Sequence, residues 1–160
     1  MLKVQLHTHT ADDPQDWIAH STKDLIDLAG REGFDALAVT LHDRQLDIAP
    51  LRDYAAERGL VLIPGIERTI EGRHVLLLNF PRETEHVRTF DDLARLRARG
   101  GGAVIAPHPF FPWPSALRGA LDAHAGLFDA VERNGATLAL VSIPRPAPAG
   151  VAQPDSTPTF

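Results

Sequence analysis

The 160-residue chain has no cysteine and one methionine. The first absence removes disulfides, thiolate zinc sites and cysteine nucleophiles together. No run of eighteen or more apolar residues occurs, so no membrane-spanning helix is expected. The opening Met-Leu-Lys-Val-Gln-Leu-His turns polar too soon for a signal peptide, and a cytoplasmic protein is expected. Positive charge is scarce: 16 Lys and Arg face 21 Asp and Glu, a net charge of −5. That balance argues against holding nucleic acid by bulk charge. A phosphate-bearing substrate stays open, because a bound cation reverses the local field.

What is present is ordinary in bulk, with 44% hydrophobic and 23% charged residues. One domain is expected, long enough to bury a proper core. Eight histidines without cysteine mean that any metal must be held by nitrogen and oxygen, which suits zinc, manganese or iron.

Strand and helix signals alternate along most of the chain. Apolar strands are expected at 4–6, 36–40, 60–63, 74–79, 103–106 and 127–132. A helix capped at Ser21/Thr22 runs to Gly33, a second opens at Pro50 and ends at Gly59, and a third follows Thr89. In the third, Leu93 and Leu96 point inward and the arginines outward. Residues 115–125 also read as helical. The strands are near-continuous apolar runs, the pattern of a parallel sheet covered on both faces by helices. From Ser142 onward five prolines stand in an Ala/Ser/Gly background, and 142–160 is expected to be a disordered tail behind a domain at 1–141.

The carboxyl ends of these strands carry the polar residues of interest. His7 and His9 stand at i and i+2, so in an extended segment both rings face one side. His42, Glu67 and His108 close three further strands, while His74 is the exception and opens its own. Loops at strand carboxyl ends converge on one mouth in parallel α/β folds. A convergent set of imidazoles and a carboxylate is what a metal site requires.

The ordered motifs resemble those of the PHP (polymerase and histidinol phosphatase) family. They are His7-Thr8-His9, Thr40-Leu41-His42-Asp43, Gly65-Ile66-Glu67, then His74 and Pro107-His108-Pro109. Phe128-Asp129-Ala130-Val131-Glu132-Arg133-Asn134 is similar to the Asp-x-x-Glu-x-x-Asn piece that often follows there, so the likeness spans residues 2–135. The resemblance implies an incomplete distorted (β/α)7 barrel of parallel strands with outer helices. It also implies two or three divalent ions (zinc, manganese or iron) and phosphoester hydrolysis by water that those ions activate. Carried over by motif, the metal ligands are His7, His9, His42, Glu67, His74 and His108. A carboxylate after His9 often joins them, and Asp13 is chosen with Asp12 in reserve. Asp13, His20 and Arg68 are the catalytic candidates. His20 can donate to a phosphate or serve the helix start, and Arg68 can pair with a phosphate or sit in solvent. Trp113 offers either a stacking surface at the mouth or simple packing.

Two departures from the family pattern are visible. Leu41 stands where many members carry aspartate. No Ser-Asp-x-His follows Asn134, and Asp122-Ala123-His124 lies in the wrong order and in a helix-like stretch. A truncated or frame-shifted end is therefore expected after Leu140, with a metal-binding remnant lacking turnover as one alternative. An amidohydrolase is another, weakened because the only lysines, Lys3 and Lys23, lie away from strand ends. The expected partner is a phosphorylated small molecule or nucleotide, with nucleic acid only as a substrate and no membrane.

Overall fold

The computed structural model describes residues 2–132 and 141–142. Its sheet runs in chain order: β1 (Val4–Gln5), β2 (Ala36–Val39), β3 (Val61–Ile70), β4 (Arg73–Leu78), β5 (Ala103–Ala106), β6 (Ala130–Val131) and β7 (Val141–Ser142). The first six strands curl into a half-barrel in a mixed α/β architecture. An inner cluster of Leu6, Ala38, Leu76, Leu78, Ile105 and Ala130 fills its concave side.

Helices α1 (Thr22–Arg31) and α2 (Arg52–Ala56) cover β2 and the start of β3, burying Ile26, Ala29 and Ala55 against Leu37, Val39 and Leu62. Helix α3 (Phe90–Ala98) and the short α4 (Gly119–Ala123) cover β3 to β5 through Leu93, Leu96 and Leu121, joined by Leu117 just before α4. Each fully buried leucine or isoleucine contributes about 1.5–3 kcal/mol of transfer free energy. Both long helices start on a capping box, Ser21 with Asp24 and Thr89 with Asp92, which satisfies amides that the first turn leaves open. Arg95 points outward as expected, but Arg97 pairs with Asp129, tying α3 to the start of β6.

The expectation of parallel strands throughout is corrected. β1, β2 and β3 pair in parallel, but β4 is antiparallel to both β3 and β5, while β5 and β6 are again parallel. The sequence misled because β4 is buried on both sides all the same: Val75 and Leu77 face the helices, Leu76 and Leu78 the inner cluster. Burial on both faces gives a continuous apolar run whichever way a strand points.

β3 is also longer than 60–63. It pairs with β2 as far as Pro64 and with β4 from Gly65, so the proline sits just before the β4 ladder begins. At Gly65 a Cβ would stand 2.8 Å from Thr40 Cγ2 and 3.1 Å from the Val39 carbonyl oxygen, so only glycine fits that crossing. Residues 115–125 give less helix than expected, α4 followed by a 3-10 turn, and β6 is shorter than 127–132. Ser142, expected in the tail, pairs with Ala130 as part of β7. Asn134, the missing Ser-Asp-x-His and the tail from 143 onward lie outside the described residues. No helix of the described residues is long and apolar enough to cross a membrane.

Candidate metal centre

Glu67 is the centre of the site. It lies on β3 between the residues that follow β2 on one side and β4 on the other, is 1% exposed, and receives five side chains from four segments. Its Oε2 meets His7 Nε2 at 3.1 Å, His9 Nε2 at 3.0 Å and His42 Nε2 at 3.4 Å. Its Oε1 meets His74 Nδ1 at 2.8 Å and His108 Nε2 at 3.1 Å.

Local structure explains each approach. Thr8 is zipped to β2: its amide donates to Thr40 Oγ1, its hydroxyl to the Ala38 carbonyl, and its own carbonyl accepts from the Thr40 amide. That fixes the extended backbone on either side and turns His7 and His9 the same way, ring centroids 5.2 Å apart. His42 follows β2, bridged to Glu67 in parallel register. His74 reaches the same mouth because β4 runs backwards, so the start of β4 lies beside the end of β3. His108 follows β5 with φ +28°, and its amide donates to Glu132 Oε2.

Asp13 forms a second focus. Its Oδ2 lies 2.8 Å from His9 Nδ1 and 3.1 Å from His42 Nδ1, and it accepts the His42 amide at 2.9 Å. His9 and His42 therefore run side by side from Asp13 to Glu67, stacked with centroids 4.5 Å apart. The reserve residue Asp12 accepts instead from Thr22 Oγ1.

Three groups of donor atoms lie within 4.8 Å of one another: His9, Asp13, Asp16 and His42; His7, Glu67 and His108; His42, Glu67 and His74. These His/Asp/Glu clusters can hold metal ions, and Glu67 and His42 are each shared between two of them. The donor chemistry fits. A carboxylate has about four lone-pair sites, yet five imidazoles aim a nitrogen at Glu67. His7 Nε2 and His9 Nε2 also face each other at 3.2 Å, a contact that needs a proton or a cation between them.

Without metal, protons do that work. Burial opposes charge on Glu67, but hydrogen bonds from His108, His7, His74 and His9 outweigh it and hold the carboxyl far below its usual range. Burial likewise lowers His7, but Glu132 and Glu67 overcome it and raise the imidazolium to about 9. His9 is raised against the same burial by Glu67 and Asp13. Asp13, despite its burial, is held low by His9 and by the backbone amides of His42, Gln15 and Asp16.

Of the catalytic candidates, only Asp13 stands in the cluster. His20 is exposed, and its Nε2 donates to the His9 carbonyl, bracing the backbone rather than facing the donor atoms. Arg68 is neither in solvent nor in the cluster. Strand alternation turns it away from Glu67, and it is buried, donating to Asp43 and to the Val87 carbonyl. Lys3 donates to the Glu32 carbonyl and Lys23 lies over the Tyr54 ring. His124, from the misplaced Asp-x-His, stacks on Phe90 with centroids 4.0 Å apart.

Two contributors were not singled out from the sequence. Glu132, buried, faces His7 Nδ1 at 3.3 Å and fixes which nitrogen His7 turns toward Glu67. Its signal was present in the Asp-x-x-Glu segment. Asp16 comes within 3.7 Å of His42 Nδ1, and its signal is the acidic loop 12–16. No protein-family model matches this chain, and no curated protein matches it.

Proposed function

We propose that this chain is a metal-dependent phosphoesterase of the PHP type, holding two or three divalent ions (zinc, manganese or iron) at the mouth of a distorted barrel. The supporting observation is the sharing of Glu67 and His42 between neighbouring donor groups, the ligand sharing that adjacent ions acting on one phosphate would use. When bound, such ions supply Lewis acidity, acidify water and offset charge on phosphoryl oxygens.

The chain's own residues set the geometry. Asp13 accepts from the Nδ1 side of His9 and His42, so both present Nε2 toward Glu67. Glu132 does the same for His7. Burial of Glu67, 1% exposed, strengthens each charge interaction it makes. Small phosphate monoesters, nucleotides and nucleic-acid ends are all within the reading.

The experiment pairs elemental mass spectrometry of protein purified without chelators with hydrolysis of an aryl phosphomonoester and diester under added manganese. Two or more metals per chain with turnover supports the proposal. Metal without turnover of either ester reduces the chain to a metal-binding protein.

A further inference from the structure

Beside the cluster, residues 108–118 form a loop whose backbone is held and whose largest side chains are not. Leu117 and Ala116 are fully buried and anchor it. The His74 amide donates to the Ser115 carbonyl, Arg73 Nη1 donates to the carbonyls of Pro114 and Ala116, and the Arg118 amide closes the loop on the Pro109 carbonyl at 2.8 Å. Pro109, Pro112 and Pro114 stiffen it further. On this fixed frame Phe110, Phe111 and Trp113 are 73%, 43% and 52% exposed. They are therefore not what anchors the loop. Trp113 stands edge-on to the His108 ring with centroids 5.5 Å apart, and Phe111 packs against Trp113 at 4.5 Å. His108 in turn meets Glu67. The indole thus abuts a ring that itself carries one of the donor atoms.

We infer that Trp113, backed by Phe111, is a stacking wall for the base of a nucleotide whose phosphate is held at the histidine cluster. The inference rests on the phosphoesterase reading for the position of the phosphate. A planar base covers an exposed indole with a matching apolar face, and such stacking is worth about 1–3 kcal/mol. A loop already fixed by hydrogen bonds and prolines loses little freedom when it binds. The acidic chain favours a single nucleotide over a long polyanion.

The test compares adenosine 5′-monophosphate with ribose 5-phosphate, which share the phosphorylated 5′-oxygen of a ribose and differ at C1′, where one carries the base and the other a hydroxyl. The chain has two tryptophans, so Trp17→Phe leaves Trp113 as the sole indole reporter. In the zinc-loaded protein the nucleotide should quench Trp113 emission saturably and the sugar phosphate should not. The nucleotide's kcat/KM should exceed that of ribose 5-phosphate by about tenfold, Trp113→Ala should bring the ratio to about one, and Trp113→Tyr should keep most of it. Quenching by the nucleotide without turnover of either ester upholds the wall and removes the monoester-hydrolysis reading. Absence of quenching overturns the wall, whether or not the esters are hydrolysed. So does a ratio unmoved by Trp113→Ala. Ligand-free emission already blue-shifted, with a light-scattering mass of two chains, assigns the aromatic patch to self-association and also overturns it.

Discussion

Glu67 Oε1 and His74 Nδ1 stand 2.8 Å apart on adjacent strands that run in opposite directions. That pairing accounts for the one histidine that opens a strand. In a parallel sheet the start of β4 would lie at the far end of the barrel. The β3–β4 hairpin folds it back beside the carboxyl ends of the other strands, and Glu67 meets histidines from both flanks of the sheet.

Glu67→Ala should therefore disperse the site. It removes the carboxylate on which His7, His9, His42, His74 and His108 converge. Metal content should fall by at least one ion per chain, with activity reduced by at least about a hundredfold. The fold should survive, because strands and helices bury their own apolar faces elsewhere. Elemental mass spectrometry and circular dichroism read the two outcomes. Unchanged metal content in a folded variant would remove Glu67 from the site.

Glu132→Gln isolates an orienting role. The carboxylate accepts from His7 Nδ1 and from the His108 amide, so it biases His7 to offer Nε2 to Glu67. The amide side chain keeps the shape but weakens both bonds, and metal affinity should fall by about 10–100-fold with the fold intact. A zinc titration against a chelating indicator measures it. Wild-type affinity would make Glu132 a packing residue only.

The legible part of the molecule was local. Ser21 with Asp24 and Thr89 with Asp92 mark helix starts that need only neighbours in sequence to form. The histidines were placed at strand ends by apolar runs followed by polar residues, and the structure brings His7, His9, His42, His74 and His108 together. What could not be read was non-local. The direction of β4 leaves no trace in a run buried on both faces, and the extension of β3 through Pro64 depends on its pairing with β4 from Gly65. The fate of Arg68 depended on Asp43, twenty-five positions away, folding back to accept its guanidinium.

Metal uptake should release protons and strengthen as pH rises. His7, raised to about 9, is charged at neutral pH in the metal-free protein and must lose its proton to become a ligand. Apparent zinc affinity should climb from pH 6 toward pH 9, with at least one proton released per chain near pH 7. Calorimetry in buffers of different ionisation enthalpy counts them. In the metal-free fold the His7 contribution responds in the opposite sense. The His7 contribution is complete below its unfolded value near 6.5 and is lost as pH rises through about 9. The depressed carboxyls Glu67 and Asp13 contribute above their ordinary values and lose that contribution as pH falls. Affinity independent of pH would show that the cluster is not protonated when empty.

Arg68→Met tests whether the guanidinium is structural. Buried Arg68 holds Asp43, which also accepts from the Thr69 amide, the Thr69 hydroxyl and Gln15 Nε2, and Asp43 keeps a left-handed backbone at φ 53° directly after His42. Removing the guanidinium leaves Asp43 without its counter-charge and the Val87 carbonyl without its donor. Asp43 retains some contact with water, so the expected loss is about 2 kcal/mol, below that of a fully buried pair. Thermal unfolding should show it as a drop of several degrees. Since the side chain points away from the donor atoms, KM for a phosphate ester should hold while the melting temperature falls. A large rise in KM with unchanged melting would return Arg68 to the substrate, and would mean that its pairing with Asp43 opens when a phosphate binds.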